Sequence, residues 1–406
     1  MGFVWPRQLS RHLSRQTWRH ARTTGGPRDH APDPWQARVQ QLLDTAGVRL
    51  QGSAPWDIQL HRPRALQRML TQGHLGLGES YMDGDWDCEQ PDELIARLLR
   101  ARVDKQLRTP AMLGAWARSR WLNLQTPARA WQVAHEHYDL DNDLFERMLD
   151  PSMAYSCGYW ARARNLEEAQ HDKLELICQK LQLQPGMRLL DIGCGWGSLM
   201  RHAAEHHGVQ CVGLTVSQQQ ALHGREQCKG LPIRFQVTDY RSFSPESAQR
   251  FDRVASVGMF EHVGPKNHRD FFAMARRCLH DEGLLLLHTI GRCADDSGID
   301  PWIEKYIFPN GVLPSAAEIE QASSPLFVLE DLHNFGADYD RTLMAWHERF
   351  EAAWPDLGLR YNERFRRMWR YYLLSCAGSF RARSSQLWQW VFSPRGVPGG
   401  YRRPLM

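Results

Sequence analysis

The stretch Arg188-Leu189-Leu190-Asp191-Ile192-Gly193-Cys194-Gly195-Trp196-Gly197 constrains the fold more than any other in this 406-residue chain. A buried strand at 188–192 runs into glycines at alternate positions, and a helical pattern opens at Ser198. Such a turn lets the backbone reverse sharply, pass close to a ligand and offer it free helix N-terminal N–H groups. The pattern then continues: strands at 210–214, 233–237, 251–257 and 284–287 alternate with helices at 198–206, 217–228 and 269–279. Alternation of this kind predicts crossover connections and a largely parallel sheet with helices on both faces, an α/β fold. Ligands of such sheets sit beyond the carboxyl ends of the strands. The residues to inspect are therefore 193–197, 215–220, 239–240, 258–262 and 288–291.

The spacing of the glycines selects among nucleotides. A dinucleotide loop reads G-x-G-x-x-G with an acidic residue about 20 positions later; here the loop is G-x-G-x-G and the second strand ends in Thr215 without an acid. That disfavours NAD and suits the non-phosphorylated S-adenosylmethionine (SAM). On this reading Asp191, Gly193, Gly195 and Gly197 line the donor site. Thr215 and Gln220 bond its ribose or methionine part, and Asp239 accepts from the adenine amino group with Tyr240 beside it. The competing readings are a glycine turn that only reverses the chain and an Asp239 that only caps a helix.

Composition bounds the rest. Hydrophobic residues at 42% and charged residues at 24% fit an ordinary soluble protein, and no apolar run nears the roughly 20 residues of a membrane-spanning helix. Nine cysteines, never spaced C-x-x-C, argue against a disulfide framework and against a zinc site of usual spacing. With no signal-peptide or myristoylation pattern, a cytoplasmic protein free of structural metal is expected. The net charge of +4 is unevenly placed: residues 1–28 carry Arg7, Arg11, Arg15, Arg19, Arg22 and Arg28 and no acid. In a helix these form a cationic stripe able to lie on an anionic bilayer, each residue contributing about 1 kcal/mol; a disordered basic tail is the equal alternative, and nucleic acid a weaker one.

The expected organisation is a tail over 1–28, a small α+β unit over 29–104, a linker over 105–128 and the α/β domain over 129–406. Within the small unit, helices at 35–46, 64–70 and 92–99 flank short strand-like runs at 48–50 and 56–60, with a turn-rich segment at 73–84. Asp83, Asp85 and Asp87 alternate like a calcium loop but lack its glycine position and closing glutamate. Turn chemistry and helix N-terminal charge explain them better. Residues 292–336 read as an irregular segment with Trp302, Ile303, Tyr306, Ile307 and Phe308 clustered, placed to cover the pocket either as ligand contacts or as structural cover alone.

Beyond these features the sequence resembles the cyclopropane-fatty-acyl-phospholipid synthase family from about residue 75 to a last strand at 388–392. The likeness is carried by Gly78-Glu79-Ser80-Tyr81-Met82-Asp83-Gly84, Glu136-His137-Tyr138-Asp139-Leu140 and Tyr155-Ser156-Cys157-Gly158-Tyr159-Trp160. It continues through Gly258-Met259-Phe260-Glu261-His262-Val263-Gly264, Leu287-His288-Thr289-Ile290-Gly291, Tyr306-Ile307-Phe308-Pro309-Asn310-Gly311, Asn334-Phe335-Gly336-Ala337-Asp338-Tyr339 and Cys376-Ala377-Gly378. The resemblance implies a class I SAM-dependent methyltransferase domain behind a smaller helical one. It adds Tyr155 and Ser156 to the SAM contacts. It assigns Cys157, Glu261, His288 and Tyr339, with the Ile290 main chain, to a bicarbonate ion, and marks Cys376 as an active-site residue. Asp85 stands where the family usually has a bulky aromatic, which puts the packing of its loop in question.

The implied chemistry is addition of a methylene across the cis double bond of a phospholipid acyl chain at the inner face of the cell membrane, by a protein able to pair as a homodimer. Methyl transfer leaves a carbocation, and a proton must leave the new methyl group before the ring closes. A protein carboxylate touching that cation risks capture as an ester, so a small bound base such as bicarbonate is the better acceptor. Glu261 can orient it, and His288 and Tyr339 can donate to its oxygens. Aromatic faces stabilise the cation, with Tyr155, Tyr159, Trp160, Phe260, Tyr306 and Phe308 as candidates. Two alternatives stay open: C-methylation of a lipid alkene without ring closure, and a non-catalytic membrane-binding protein.

Overall fold

The structure, a computed structural model, describes residues 34–107, 142–245, 250–293 and 300–405. The arginine stripe of 1–28, the motif at 136–140 and most of the expected linker lie outside the described residues.

The N-terminal unit comprises α1 (Pro34–Asp44), β1 (Gln59–Leu60), α2 (Arg64–Gln72), α3 (His74–Met82), β2 (Trp86–Asp87), α4 (Pro91–Arg100) and α5 (Val103–Gln106). After α6 (Asn142–Met148) and α7 (Leu166–Lys180) come β3 (Arg188–Ile192), α8 (Ser198–His207), β4 (Gln210–Thr215), α9 (Gln218–Gln227) and β5 (Ile233–Val237). Then follow β6 (Phe251–Val257), α10 (His268–Cys278), β7 (Leu279–Arg292), α11 (Pro301–Tyr306), α12 (Ala316–Ser323), β8 (Val328–Asn334), α13 (Ala337–Leu357), α14 (Glu363–Arg381) and β9 (Ser385–Ser393). The large sheet has the order β5-β4-β3-β6-β7-β9-β8. Its first five strands are parallel, while β9 runs antiparallel to both β7 and β8. Leu284 to Leu287 are all buried, as a strand covered on both faces requires. The chain winds outward from β3 to β5, then returns to place β6 on the other side of β3. The cleft at that reversal, outside the carboxyl ends of β3 and β6, is where such a sheet receives a ligand.

Three expectations change. The segment 73–84 is a helix, α3, and its glycines serve packing: a Cβ on Gly76 falls 2.1 Å from the Arg68 carbonyl oxygen, and one on Gly78 falls 2.4 Å from the Trp302 ring. Of the carboxylates after it, Asp83 lies in a turn as expected, but Asp83, Asp85 and Asp87 are not helix N-terminal charges. Asp85 is fully buried and accepts from Arg62, Arg64 and Arg68, and Asp83 binds Arg68 and Arg364. That hub replaces the bulky side chain that the resemblance leads one to expect. The segment 292–336 holds α11, α12 and β8 rather than irregular chain. The start of α12 is a capping box readable in the sequence, Ser315 paired with Glu318.

α13 and α14 have no counterpart in the sequence reading. Both line an apolar core that runs without interruption from α1 through the N-terminal unit to Trp346, Phe350, Trp369 and Tyr372. α14 lies so close to α4 that a Cβ on Gly378 falls 2.4 Å from the Asp92 carbonyl oxygen. Among the described residues, no helix is long and apolar enough to cross a membrane.

Candidate active site

The loop after β3 is held open by conformation and by crowding. Gly193, Gly195 and Gly197 have φ of 85°, 54° and 91°, a region that side chains with a Cβ rarely adopt. A Cβ on Gly193 also falls 2.6 Å from Met259, and one on Gly197 falls 2.5 Å from Phe235; beside Gly195 there is open space. The Gly193 and Cys194 amides donate to the Leu214 carbonyl (both 2.9 Å), fixing the loop to β4.

Asp191, at the end of β3, is buried, and its Oδ1 has no hydrogen-bond partner. Burial lifts its pKa to about 7 against the pull of Lys173. Lys173 is itself buried, brought down to about 8 by desolvation, and donates to the Ser156 hydroxyl at 3.0 Å. An unpaired carboxylate oxygen beside a glycine loop suits the ammonium of a methionine moiety, so these residues fit SAM. The Tyr240 hydroxyl is a second buried polar atom without a partner.

Other donor-site residues are already engaged. Thr215 Oγ1 accepts from Ser217 N (3.1 Å) and donates to Gln220 Oε1 (3.0 Å), which leaves the Gln220 amide N–H groups to meet a ligand. Asp239 spends both oxygens on Arg241, through its amide (2.9 Å), Nε (2.8 Å) and Nη2 (2.5 Å). To bind an adenine amino group it has to share an oxygen with that arginine.

The opposite wall comes from the next strands. Glu261 lies in the short 3-10 turn Phe260–His262 after β6. Its Oε1 accepts from the Ile290 amide at 2.7 Å, and Oε2 is buried without a partner. Burial raises its pKa to about 7, with the Ile290 N–H and the Thr289 hydroxyl only partly opposing. The Ile290 N–H, expected to face an anion, therefore reaches the site only through Glu261.

His288 is buried on β7 and pairs in register with Gln389 on β9. The Gln389 amide nitrogen lies 3.2 Å from His288 Nδ1. As that nitrogen can only donate, Nδ1 accepts and the ring proton sits on Nε2. Nε2 has no partner. Burial, reinforced by Lys173 and Lys180, drives the imidazole pKa well below normal, so the ring is neutral and offers one unused N–H.

Tyr339, in the first turn of α13, is buried with its ring 4.6 Å from that of Phe380. Its hydroxyl pKa is raised by burial and further by Cys157, Tyr155, Glu261 and Cys376, which places those five groups in one neighbourhood. The Tyr155 hydroxyl meets that of Tyr372 at 2.8 Å. Burial pushes the Cys157 thiol far up and the Cys376 thiol up to about 12, so neither is a thiolate at neutral pH. Tyr155, Tyr159, Trp160, Tyr306 and Phe308 belong to the apolar core that includes Tyr339. Phe260 does not: it stacks on His268 at 4.4 Å in a separate core against the sheet, which removes it from the ring set expected to face the cation.

Lys173 and Gln389 were missed by sequence reasoning, yet both left a signal. Lys173 interrupts the buried face of α7, and Gln389 is the lone polar residue in Leu387-Trp388-Gln389-Trp390-Val391-Phe392.

The sequence profile of the family described as mycolic acid cyclopropane synthetase matches residues 125–390. The chain is 54% identical over 375 residues to the cyclopropane-fatty-acyl-phospholipid synthase of Escherichia coli, covering 91% of this chain and 96% of that one. It is 36% identical over 264 residues to cyclopropane mycolic acid synthase MmaA2 of Mycobacterium tuberculosis, covering 60% of this chain and 91% of that one. The structure of the cyclopropane synthase MmaA2 from Mycobacterium tuberculosis (TM-score 0.61, 34% identity, 65% of this chain and 98% of that one) and the crystal structure of mycolic acid cyclopropane synthase CmaA1 complexed with SAH and CTAB (TM-score 0.60, 33% identity, 65% and 98%) share the fold.

Proposed function

The chain belongs to the mycolic acid cyclopropane synthetase family, and on that premise we propose that it converts unsaturated phospholipid acyl chains to cyclopropane chains. SAM supplies the methylene to the cis double bond; the other products are S-adenosylhomocysteine and a proton. One juxtaposition carries the reading: a glycine-loop donor site on β3, and on the adjacent β6 and β7 two buried polar atoms, Glu261 Oε2 and His288 Nε2, without partners.

An isolated alkene is a weak nucleophile, so the sulfonium methyl has to be held in line with the π bond where water is excluded. The aromatic core around Tyr339 supplies the dry wall. The π faces of Tyr155, Tyr159, Trp160, Tyr306 and Phe308 stabilise the carbocation that methyl transfer leaves. Both cysteines stay protonated and so do not capture it. Glu261 Oε2, His288 Nε2–H and the Tyr339 hydroxyl fit a bicarbonate ion: one acceptor for its hydroxyl and two donors for its oxygens. Bicarbonate held there supplies a small base for the proton lost from the new methyl group. Glu261, held back by the Ile290 amide, orients that base rather than meeting the cation itself. The N-terminal unit and the basic segment before it bring the protein to the inner membrane surface or pair two protomers.

Incubating the purified protein with SAM and mixed unsaturated phospholipid vesicles, then analysing the fatty acids by mass spectrometry, tests this reading. The expected product is heavier by one CH2 and has lost its double bond. A methylated chain that keeps or relocates the double bond refutes ring closure, and unaltered chains refute the activity.

A further inference from the structure

On the outer face of the sheet, away from the reaction cleft, two helices bring together a set of side chains that the chemistry above does not use. α7 contributes Glu175 and, one turn later, Cys178; α8 contributes His202 and His207. Both imidazole Nε2 atoms point at the same atom, Glu175 Oε2, each at 3.0 Å. A ligand atom of Cys178, one of His202 and one of His207 all lie within 4.8 Å of one another. Cys178 and His202 are buried and His207 is half-buried. His171 and His206, both exposed, pack edge-on and tilted against His202 with ring centroids 5.1 and 4.6 Å away and give the cluster an edge open to solvent.

We propose that Cys178, His202 and His207, with Glu175 as fourth ligand or as hydrogen-bonding support, form a binding site for a divalent transition metal of the Zn2+ class that clamps α7 to α8. Zn2+ takes imidazole nitrogen, thiolate sulfur and carboxylate oxygen in tetrahedral sets, with bonds of about 2.0–2.3 Å. Its ligand atoms then stand roughly 3.5 Å apart. The three donors reach that spacing by side-chain adjustments of about 1 Å, within the freedom of a rotamer. The charge balances as well. Glu175 brings a carboxylate whose oxygens accept from His202, His207 and Gln179. Binding releases the thiol proton of Cys178, while each neutral imidazole keeps its single ring proton, moved from Nε2 to Nδ1 as Nε2 turns from Glu175 to the metal. Carboxylate and thiolate together neutralise the dication.

Such a clamp has a route to the donor site. α8 starts directly after the glycine loop, with Gly197 as its N-cap. α7 carries Gln170 and Lys173, which hold the main chain and hydroxyl of Ser156. A cation joining the later turns of α7 to the middle and end of α8 fixes the two supports of the SAM pocket relative to each other. The spacing Cys178-x23-His202-x4-His207 has no C-x-x-C half, and only the packing of α7 on α8 assembles it.

The full-length protein, stripped with a chelator and titrated with Co2+ and then Zn2+, tests the site. One equivalent of Co2+ should bind with tetrahedral ligand-field bands and a thiolate-to-cobalt charge-transfer band, both bleached by Zn2+, and Zn2+ should raise Tm by several degrees. Cys178→Ser should remove the charge-transfer band. The pair His202→Gln/His207→Gln should abolish stoichiometric binding, and His207→Gln alone, at a half-buried position, should weaken it at least about tenfold if the double variant does not fold. Absence of tetrahedral bands at one equivalent overturns the proposal, as does an unchanged cobalt spectrum in the histidine variants.

Discussion

The two walls of the cleft are built on opposite principles. The β3–β5 wall is local: glycines at positive φ, a threonine and glutamine bonded to each other, and an aspartate tied to an arginine two residues on. Asp191 Oδ1 and the Tyr240 hydroxyl apart, its polar groups are largely satisfied before any ligand arrives. The β6–β7 wall is assembled from distant segments, and its central residues, Glu261 and His288, each keep one buried atom without a partner. A buried polar atom left bare costs about 1–3 kcal/mol, so a fold that retains two on neighbouring segments has a ligand or a reaction to set against them. Both walls keep two bare buried atoms; the first sets its pair in a locally bonded loop framework, the second on residues brought together from distant segments.

Replacing the bare oxygen of Glu261 should have the largest effect. Glu261→Gln should lower turnover by at least about 10²-fold, the scale of a lost proton-handling group, while SAM affinity by calorimetry stays within about twofold of wild type. Equal losses in both would erase the distinction between the walls. Glu261 acts here as a carboxylate, so wild-type turnover at saturating SAM should fall as pH drops through about 7, and the variant should lack that limb. The stability sign is the reverse. A carboxyl raised from 4.5 to about 7 on folding contributes fully below its unfolded pKa and loses that contribution as pH rises through the folded one. Glu261→Gln should therefore gain stability relative to wild type between pH 5 and 8, by up to about 3 kcal/mol at about 1.4 kcal/mol per unit, measurable by denaturant melts at each pH.

On the first wall, Gly193→Ala meets both an unfavourable φ and the Met259 side chain. Strain of about 1–3 kcal/mol should weaken SAM binding roughly tenfold or more and leave the pH limb of turnover in place. The smallest effect is expected at Cys376→Ser. With its thiol pushed up to about 12 the sulfur is no nucleophile, and turnover should stay within about fivefold of wild type. A loss comparable to that of Glu261→Gln would give Cys376 a chemical role.

The same contrast governs what the sequence discloses. β3, β5 and β6 lie at the predicted residues: β3 is buried along most of its length and reads as a largely apolar run, while the edge strand β5 alternates apolar and polar residues as Ile233-Arg234-Phe235-Gln236-Val237. The glycine loop was legible from local sequence as well. Gly76 and Gly78 misled, since a glycine reads as a turn unless its partner is known, and their partners are the Arg68 backbone and Trp302, the latter 224 positions from Gly78. α13 and α14 stayed hidden because aromatic and arginine residues are spread around them, and their burial follows from tertiary contact, α14 with α3 and α4 of the N-terminal unit and α13 with α14 and α6, rather than from a period. Arg241 on Asp239 and Gln389 on His288 are both pairings that only coordinates reveal.

α14 has one further consequence. One of its faces bears Tyr372 and Cys376 toward the reacting groups, and another presses Gly378 onto the main chain of α4 with no side chain between. Two backbones in direct contact have nothing compressible to absorb a displacement. A displacement of α4 is therefore passed to α14, the helix that holds the Tyr372 hydroxyl against that of Tyr155. The part of the protein most distant from the chemistry in sequence is thereby mechanically among the nearest to it.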